Sequence, residues 1–304
     1  MTDFRTGFIA ILGKPNVGKS TLVNALLGQK IAAVSPRPQT TRRRQFGILT
    51  TRSAQLIFVD TPGIHTPRHK LGQFFNQEAA EALEGVDVVL FLVDASMEPE
   101  ENDRLGADLL FALKRKPVVV LGLNKIDLVP PAELDARRDA YLALVPNTPV
   151  VVISATRHDG LADLLRTLES LLPVRPPEYP EEQVTDLYER EIAVELIREA
   201  ALVYLQQEVP HALAVRLDKF TERENGNAYI AATLFVERDS QKGIVIGEGG
   251  AMLKKIGSAA RKEIEAMSGR KVFLELRVKV EKDWRDDENA LRRFGYKLEK
   301  RRKK

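Results

Sequence analysis

Short apolar runs alternate with amphipathic segments along the first half of the chain. The runs are 8–12, 56–59, 88–93, 118–123 and 150–153. They are almost wholly aliphatic or aromatic, which is typical of parallel strands buried on both faces. The segments between them, such as 161–168, have the spacing of helices. Strands that alternate with helices in this way predict a parallel, doubly wound sheet with helices on both faces, which is the α/β class.

The pattern changes after 173–180, where four prolines in eight residues favour an extended, semi-rigid spacer. The elements predicted beyond it are a helix over 185–207, strands over 211–217 and 228–236 with a turn at 225–227, helices over 240–246 and 251–267, and a strand over 272–278. This order is that of an α+β module. We therefore predict an α/β domain over 1–174, a linker over 175–182 and an α+β domain over 183–304.

A glycine loop follows the first apolar run and reads Gly-Lys-Pro-Asn-Val-Gly-Lys-Ser over 13–20. Glycines let backbone N–H groups surround a polyphosphate, and the start of the following helix adds positive charge. In such P-loops the lysine, here Lys19, reaches the outer phosphates, and Ser20 can bind Mg²⁺. An ordinary turn between strand and helix is the alternative. The predicted nucleotide contacts are Gly13, Lys14, Pro15, Asn16, Val17, Gly18, Lys19, Ser20 and Thr21.

A second loop, Asp60-Thr61-Pro62-Gly63, ends another apolar run. A carboxylate at the tip of a strand beside the phosphate loop can bind a water molecule of Mg²⁺, and the N–H of Gly63 can meet the γ-phosphate. Asp60, Thr61, Pro62 and Gly63 are therefore predicted nucleotide contacts. Since this loop would contact the γ-phosphate, we expect it to respond to hydrolysis.

The base is indicated by Asn124, Lys125 and Asp127, which follow the fourth apolar run. Guanine presents an N1–H beside an exocyclic amine, and one carboxylate accepts from both, whereas adenine would leave Asp127 facing an unpaired edge. Sites built this way reject the wrong analogue by roughly 10⁴–10⁵. We expect Lys125 to lie along the base and Asn124 to join the phosphate loop to the base loop.

A fourth loop, Ser154-Ala155-Thr156, follows the last of these runs, and a backbone N–H there could reach the guanine carbonyl oxygen. Asn124 and Asp127 could instead be helix caps. That alternative does not account for four such loops in this order, each at the end of a strand. The sequence therefore predicts a site for GTP and GDP.

The α+β domain contains another glycine loop, at 247–250, between two predicted helices. A G-x-x-G loop lets a nucleic-acid backbone approach the main chain closely, although glycine also occurs in ordinary helix turns. From 242 to 304 there are 19 Lys and Arg against 10 Asp and Glu, and from 178 to 208 there are 2 against 9. The domain therefore begins with an acidic segment and ends with a basic one, and the basic end is suited to binding a polyanion such as a nucleic acid. The predicted RNA contacts are Ile246, Gly247, Glu248, Gly249, Gly250, Lys254 and Lys255.

Composition narrows the class of protein. The 304 residues carry a net charge of +3 and contain no cysteine, which excludes disulfides and thiolate metal sites. The amino terminus lacks a signal-peptide pattern, and the longest apolar run, 88–93, is too short to span a bilayer. We expect a cytoplasmic, monomeric protein.

Taken together, the nucleotide loops, the proline linker and the α+β domain resemble the Era family of bacterial GTPases over essentially the whole chain. The similarity extends to Pro38-Gln39-Thr40-Thr41-Arg42 and to the stretches 60–65 and 284–292. It implies a type II KH domain, slow GTP hydrolysis, binding of the 3′ end of 16S ribosomal RNA and a role in 30S subunit maturation. It also implies peripheral association with the cytoplasmic membrane, for which the basic tail 300–304 is the only sequence support.

The resemblance also implies roles for single residues. Thr41 would join Ser20 and Asp60 in holding Mg²⁺, within a switch segment that GTP orders. Thr40 is the alternative ligand, and Thr41 is preferred because the family's pattern places the ligand just before Arg42. Ile64 stands where Ras-like enzymes carry a water-orienting glutamine, so another group must assist hydrolysis. Asn16 is a residue type that helps to hold K⁺ near the phosphates in related GTPases. The predicted catalytic set is Lys19, Thr41, Gly63 and Asn16.

Three consecutive arginines follow, and we expect Arg42, Arg43 and Arg44 to contact RNA phosphate or solvent rather than the transferring phosphate. Two classes of function remain open. One is an RNA-binding assembly switch, and the other is a regulatory GTPase whose second domain binds a protein or a membrane surface. A metabolic enzyme is disfavoured because no acid–base or metal constellation appears outside the nucleotide site.

Overall fold

The computed structural model describes residues 4–34, 41–223 and 226–296, and the chain divides into two compact units. The first unit comprises Met1–Ala32, Thr41–Thr66 and Phe75–Asp186. The second comprises Ala33–Thr40, Pro67–Phe74 and Leu187–Lys304. Residues 38–40 of the predicted switch, Asn225 of the predicted turn and the basic tail 300–304 lie outside the described residues.

The helices and strands follow the predicted alternation and then the predicted change of order. They are β1 (Arg5–Leu12), α1 (Lys19–Leu27), β2 (Gln45–Thr50), β3 (Ala54–Asp60), α2 (Lys70–Glu81), β4 (Val88–Asp94), α3 (Glu101–Ala112), β5 (Val118–Asn124), α4 (Leu134–Leu142), β6 (Val150–Val152), α5 (Leu161–Leu171), α6 (Glu189–Tyr204), β7 (Ala214–Glu222), β8 (Ala228–Val236), α7 (Asp239–Ile246), α8 (Ala251–Ser268), β9 (Val272–Val280) and α9 (Glu288–Arg293).

The sheet of the first unit has the strand order β2-β3-β1-β4-β5-β6. Strands β3, β1, β4, β5 and β6 are parallel, as predicted. One strand that was not predicted, β2, adds to the edge of this sheet and pairs with β3 in the antiparallel direction. Only residues 51–53 separate these two strands, and a parallel pair would need a crossover of about a dozen residues or more.

Two cores lie on opposite faces of this sheet. Ile9 and Ile11 of β1 belong to the core that includes α1 and α5, whereas Ala10 and Leu12 belong to the core that includes α3 and α4. This alternation along one strand confirms the doubly wound sheet. Since the parallel strands end at the same edge, the predicted nucleotide loops come together there.

The predicted spacer is bound along the first unit. The N–H of Ile48 in β2 donates to the carbonyl of Val184 at 2.9 Å, and the side chain of Gln55 bonds to the backbone of Tyr179 and Glu178. The proline-rich segment is therefore held by Gln55 of β3. Residues 184–186, just after the predicted linker, bond to the outer strand β2, whose backbone groups would otherwise be unpaired. The boundary between the compact units falls at Asp186 and Leu187, a few residues beyond the predicted linker.

The second unit contains a sheet in the order β7-β8-β9. Strands β7 and β8 are antiparallel, and β8 and β9 are parallel. Ile230, Leu234 and Val236 of β8 pack against buried residues of α6 and α8, such as Ile197 and Ile264. The predicted order of helix, two strands, two helices and strand is confirmed. Helix α9 was not predicted, because its six residues are too few to show a period.

Candidate nucleotide site and nucleic-acid loop

The phosphate loop needs its glycines for two different reasons. A Cβ at Gly13 would lie 2.2 Å from the carbonyl oxygen of Leu92, which leaves no room for a side chain. Gly18 has φ of 100°, which L-residues rarely adopt, and a Cβ there would lie 2.4 Å from Nδ2 of Asn124. The loop is therefore packed against β4 and β5 through its own backbone.

Lys19 is held at the centre of this loop. Its Nζ donates to the carbonyl oxygens of Gly13 at 3.0 Å and Lys14 at 2.9 Å. Burial lowers the pKa of Lys19 to about 8, although the charge of Asp60 acts in the opposite direction. A nearby phosphate would supply the negative charge that this buried ammonium lacks.

Ser20, Thr41 and Asp60 converge beside Lys19. The Ser20 and Thr41 hydroxyls donate to Oδ2 of Asp60 at 2.7 and 3.0 Å, and their oxygens lie 2.7 Å apart. Burial raises the pKa of Asp60, despite these hydrogen bonds and the charge of Lys19. Oδ1 of Asp60 is buried and accepts no hydrogen bond from the described residues. An under-compensated carboxylate beside two hydroxyls is an oxygen donor set that fits Mg²⁺.

Gln45 was missed by sequence reasoning, although its Nε2 donates to the same Asp60 oxygen at 3.3 Å. It belongs to β2, the strand that the apolar pattern did not reveal. Gln45 is buried and is paired with Asp60 in the β2–β3 register. To find it from the sequence, β2 would have had to be recognised and aligned with β3.

Gly63 lies directly against the phosphate loop. A Cβ on it would come within 2.6 Å of the Pro15 nitrogen, and the next residue, Ile64, donates its N–H to the carbonyl of Gly13 at 3.2 Å. The Thr61 hydroxyl points elsewhere and donates to the carbonyl of Ile11 at 2.7 Å. Thr61 thus supports the loop through its side chain, while Gly63 brings backbone close to the predicted phosphates.

Asn124 joins the phosphate loop to the base loop, as predicted. Its Nδ2 donates to the carbonyl of Val17 at 2.7 Å, and its Oδ1 accepts from the N–H of Ala155 at 3.0 Å. The side chain is almost fully buried. The predicted phosphate and base loops are therefore parts of one site.

Asp127 and Lys125 lie next to Asn124 in the base loop and are more exposed than Asn124. Asp127 accepts from the Ser154 hydroxyl at 2.7 Å and lies 3.6 Å from the Arg157 guanidinium. Lys125 has φ of 65°, an uncommon value for a residue with a side chain, and its Nζ lies 2.5 Å from Oδ2 of Asp94. Arg157 and Asp94 were not predicted. Thr156 lies within this cluster, with its hydroxyl oxygen 3.3 Å from that of Ser154.

Two residues have surroundings that the sequence did not suggest. The prediction for Arg42 was wrong, because it is buried, with its guanidinium over the ring of Phe75 at 6.0 Å. Arg43 and Arg44 are exposed, as predicted. The Lys14 side chain, predicted among the nucleotide contacts, is instead bound by Glu100 and Asp103.

The glycine loop of the second unit lies between α7 and α8. Gly247 has φ of 71°, and a Cβ on it would lie 2.8 Å from the backbone nitrogen of Met252. Gly249 and Gly250 also have positive φ, but nothing lies within 4 Å of the place where their Cβ atoms would be. The loop therefore presents open backbone at its outer side, which is what a nucleic-acid backbone needs for close approach.

The two predicted lysines of α8 differ in their surroundings. Both are exposed, but the Nζ of Lys255 lies over the ring of Tyr204 at 4.4 Å. Cation–π contacts of this kind hold an ammonium in place. Lys254 has no such ring contact among the described residues, so it is the better placed of the two for a phosphate.

These observations define a class of protein, a P-loop GTPase domain followed by a KH domain. Family models agree with both halves. The model described as "50S ribosome-binding GTPase" matches residues 8–125, and the KH domain model matches residues 208–285.

The chain belongs to the Era family of GTPases. It is 45% identical over 299 residues to the GTPase Era of Ruminiclostridium cellulolyticum, covering 98% of this chain and 99% of that protein. It is 49% identical over 294 residues to the GTPase Era of Geobacter metallireducens, covering 96% and 98%.

Solved Era structures have the same fold. Era in complex with MgGDPNP and nucleotides 1506–1542 of 16S ribosomal RNA matches with a TM-score of 0.92 and 38% identity, covering 97% of this chain and all of that one. A variant of Aquifex aeolicus Era bound to GDP and AlF₄⁻ matches with a TM-score of 0.91, 38% identity and the same coverage.

Proposed function

We propose that this protein binds GTP and GDP, hydrolyses GTP, and binds the 3′ region of 16S ribosomal RNA through its KH domain as a switch in 30S subunit assembly. The observation that carries the nucleotide half is the link through Asn124. It places a carboxylate suited to guanine, Asp127, on the same edge of the sheet as the buried ammonium of Lys19.

The β-phosphate would meet the backbone N–H groups from Asn16 to Ser20, and the ammonium of Lys19 would neutralise charge on the β- and γ-phosphates. Ser20, Thr41 and Asp60 would hold Mg²⁺, since their oxygens already converge. When bound, this ion neutralises charge on the β- and γ-phosphates. The backbone of Gly63 would approach the γ-phosphate, because no side chain separates it from the phosphate loop.

This site differs from that of Ras-like enzymes in the residue after Gly63, where those enzymes carry a glutamine that orients the attacking water. Ile64 is buried and aliphatic, so it cannot bond to the attacking water. Hydrolysis without an assisting group is expected to proceed at roughly 10⁻⁴ s⁻¹. We propose that Asn16, which is exposed in the phosphate loop, helps to hold K⁺ there.

The RNA half is supported by the open backbone at Gly249 and Gly250 and by the basic chain that follows it. A related Era has been solved in complex with nucleotides 1506–1542 of 16S ribosomal RNA, and we infer the RNA target of this chain from that complex. Because 16S RNA belongs to the small subunit, we place the action of this chain on the 30S particle rather than the 50S.

The test is titration of the full chain with an RNA that carries this 3′ segment, against a scrambled RNA of equal length. We expect preference for the 3′ segment and a steep loss of affinity with salt. Gly249→Asp should weaken binding tenfold or more, because it adds a carboxylate where a phosphate would pass.

Gly269→Asp is the matched control. Gly269 also has positive φ and open space around its Cβ position, but it ends α8, at the end opposite the glycine loop. Equal effects of the two substitutions, or no RNA binding with capture of a protein or lipid instead, would contradict the RNA proposal.

Peripheral membrane association stays a prediction. Among the described helices, none is long and apolar enough to cross a membrane.

A further inference from the structure

Lys14 lies in the phosphate loop, but its ammonium is bound by helix α3. Its Nζ lies 2.8 Å from Oδ2 of Asp103 and 2.8 Å from Oε2 of Glu100. The Lys14 side chain is 7% exposed and that of Asp103 is fully buried, whereas that of Glu100 is 49% exposed. The contact with Asp103 is therefore the one shielded from water.

The carboxylate that holds Lys14 is itself fixed. Oδ2 of Asp103 also accepts from the backbone N–H of Glu100 at 2.9 Å, as part of the capping box that begins α3. One turn further, Gly106 allows α3 to pack closely on β4, because a Cβ there would lie 3.0 Å from the ring of Phe91. Lys14 is thus bound to a capped and closely packed part of α3.

The backbone around Lys14 contacts the parts that hydrolysis needs. Its own carbonyl accepts from Lys19, and the carbonyl of Gly13 accepts from both Lys19 and Ile64. The next residue, Pro15, lies against Gly63. The position of loop 13–16 therefore sets where Gly63 lies, whereas the backbone of Lys19 is held at the start of α1.

Helix α3 also holds the far end of the loop that contains Gly63. Oδ1 of Asn102 accepts from the N–H of Thr66 at 3.2 Å. The first turn of α3 thus contacts both the phosphate loop, through Lys14, and the loop that faces the γ-phosphate, through Thr66.

We propose that Lys14 and Asp103 are a positioning pair for GTP hydrolysis, which holds loop 13–16 against Gly63 without contacting the nucleotide. The pair rests on the proposed GTP hydrolysis. The proposal predicts that loss of the pair lowers the rate of GTP hydrolysis but leaves the affinity for GDP nearly unchanged. GDP affinity depends on the backbone N–H groups from Asn16 to Ser20, which lead into α1 and are not bound by the Lys14 side chain. The hydrolysis rate depends in addition on where Gly63 lies.

The experiment compares Lys14→Met, Asp103→Leu and the double variant by single-turnover hydrolysis at saturating GTP and by GDP titration. Lys14→Met leaves the buried carboxylate of Asp103 without its cation, which destabilises the fold. In Asp103→Leu the ammonium keeps Glu100, but α3 loses the carboxylate that caps its first turn. Removing both charges of a buried pair is often tolerated, so the double variant should fold, with its melting temperature lowered only by the lost cap. We expect its hydrolysis to be tenfold or more slower and its GDP affinity to stay within threefold.

Lys114→Met is the control, because it makes the same change at an exposed lysine just after α3. Its hydrolysis rate should stay within twofold of the wild type. Where the single variants fold, their losses should not add, because each removes the same contact.

Two results would overturn the pair. One is a folded double variant that hydrolyses GTP within twofold of the wild type. The other is a loss of GDP affinity as large as the loss of rate, which would show a general structural role. A wild-type chain that does not hydrolyse GTP would instead refute the proposed function, and the pair with it.

Discussion

Asn124 connects the phosphate loop to the base loop, so replacing it tests whether the two loops form one site. In Asn124→Ala, the carbonyl of Val17 and the N–H of Ala155 both lose their partner. Each unpaired buried backbone group costs about 1–3 kcal/mol. In the nucleotide-free variant these loops can separate and take up water, whereas nucleotide binding brings them back together.

Together, the two unpaired groups make the free energy of nucleotide binding less favourable by about 2–6 kcal/mol. The lower end of this range corresponds to about a 30-fold loss of affinity. We therefore expect Asn124→Ala to weaken GDP binding at least 30-fold, measured by titration of a fluorescent GDP analogue. Thermal unfolding of each variant checks that it is folded. Asn289→Ala, at an exposed position of α9 in the other unit, is the matched substitution and should leave affinity unchanged. A folded Asn124→Ala variant that binds GDP within threefold of the wild type would refute the reasoning.

Three further predictions concern other parts of the chain. Asp94→Asn should weaken guanine nucleotide binding about tenfold, because it removes the charge that orients Lys125; the same titration checks it, and unchanged affinity would contradict it. Gly247→Ala should lower the stability of the second unit by about 1–3 kcal/mol, because of its positive φ and its contact with Met252; denaturant unfolding monitored by circular dichroism would show no change if this is wrong. Replacing Na⁺ with K⁺ should raise the hydrolysis rate, and Asn16→Ala should remove the difference; equal rates in both salts would exclude the proposed ion.

The sequence predicted the positions of the nucleotide loops because each follows a strongly apolar strand. Parallel strands of a doubly wound sheet end at one edge, so loops far apart in sequence meet there. The role of Asn124 as a link could be predicted for the same reason, and the structure confirms it.

The sequence could not predict the residues that hold those loops in place. Asp94 and Asp103 belong to no recognisable motif, and they lie 31 and 89 residues from their lysine partners. Strand β2 was missed since its mixed composition shows neither a long apolar run nor clear alternation. Arg42 was predicted to contact RNA phosphate or solvent, together with the two arginines after it, whereas packing against Phe75 buries it.

The central claim is that a carboxylate at position 127 restricts this site to guanine nucleotides. The most direct test is competition of GTP and ATP against a fluorescent guanine nucleotide, with the wild type and with Asp127→Ala. The wild-type chain should need at least about 10⁴-fold more ATP than GTP for equal displacement, and the variant should lose most of that preference. ATP that displaces the probe within tenfold of GTP would contradict the account.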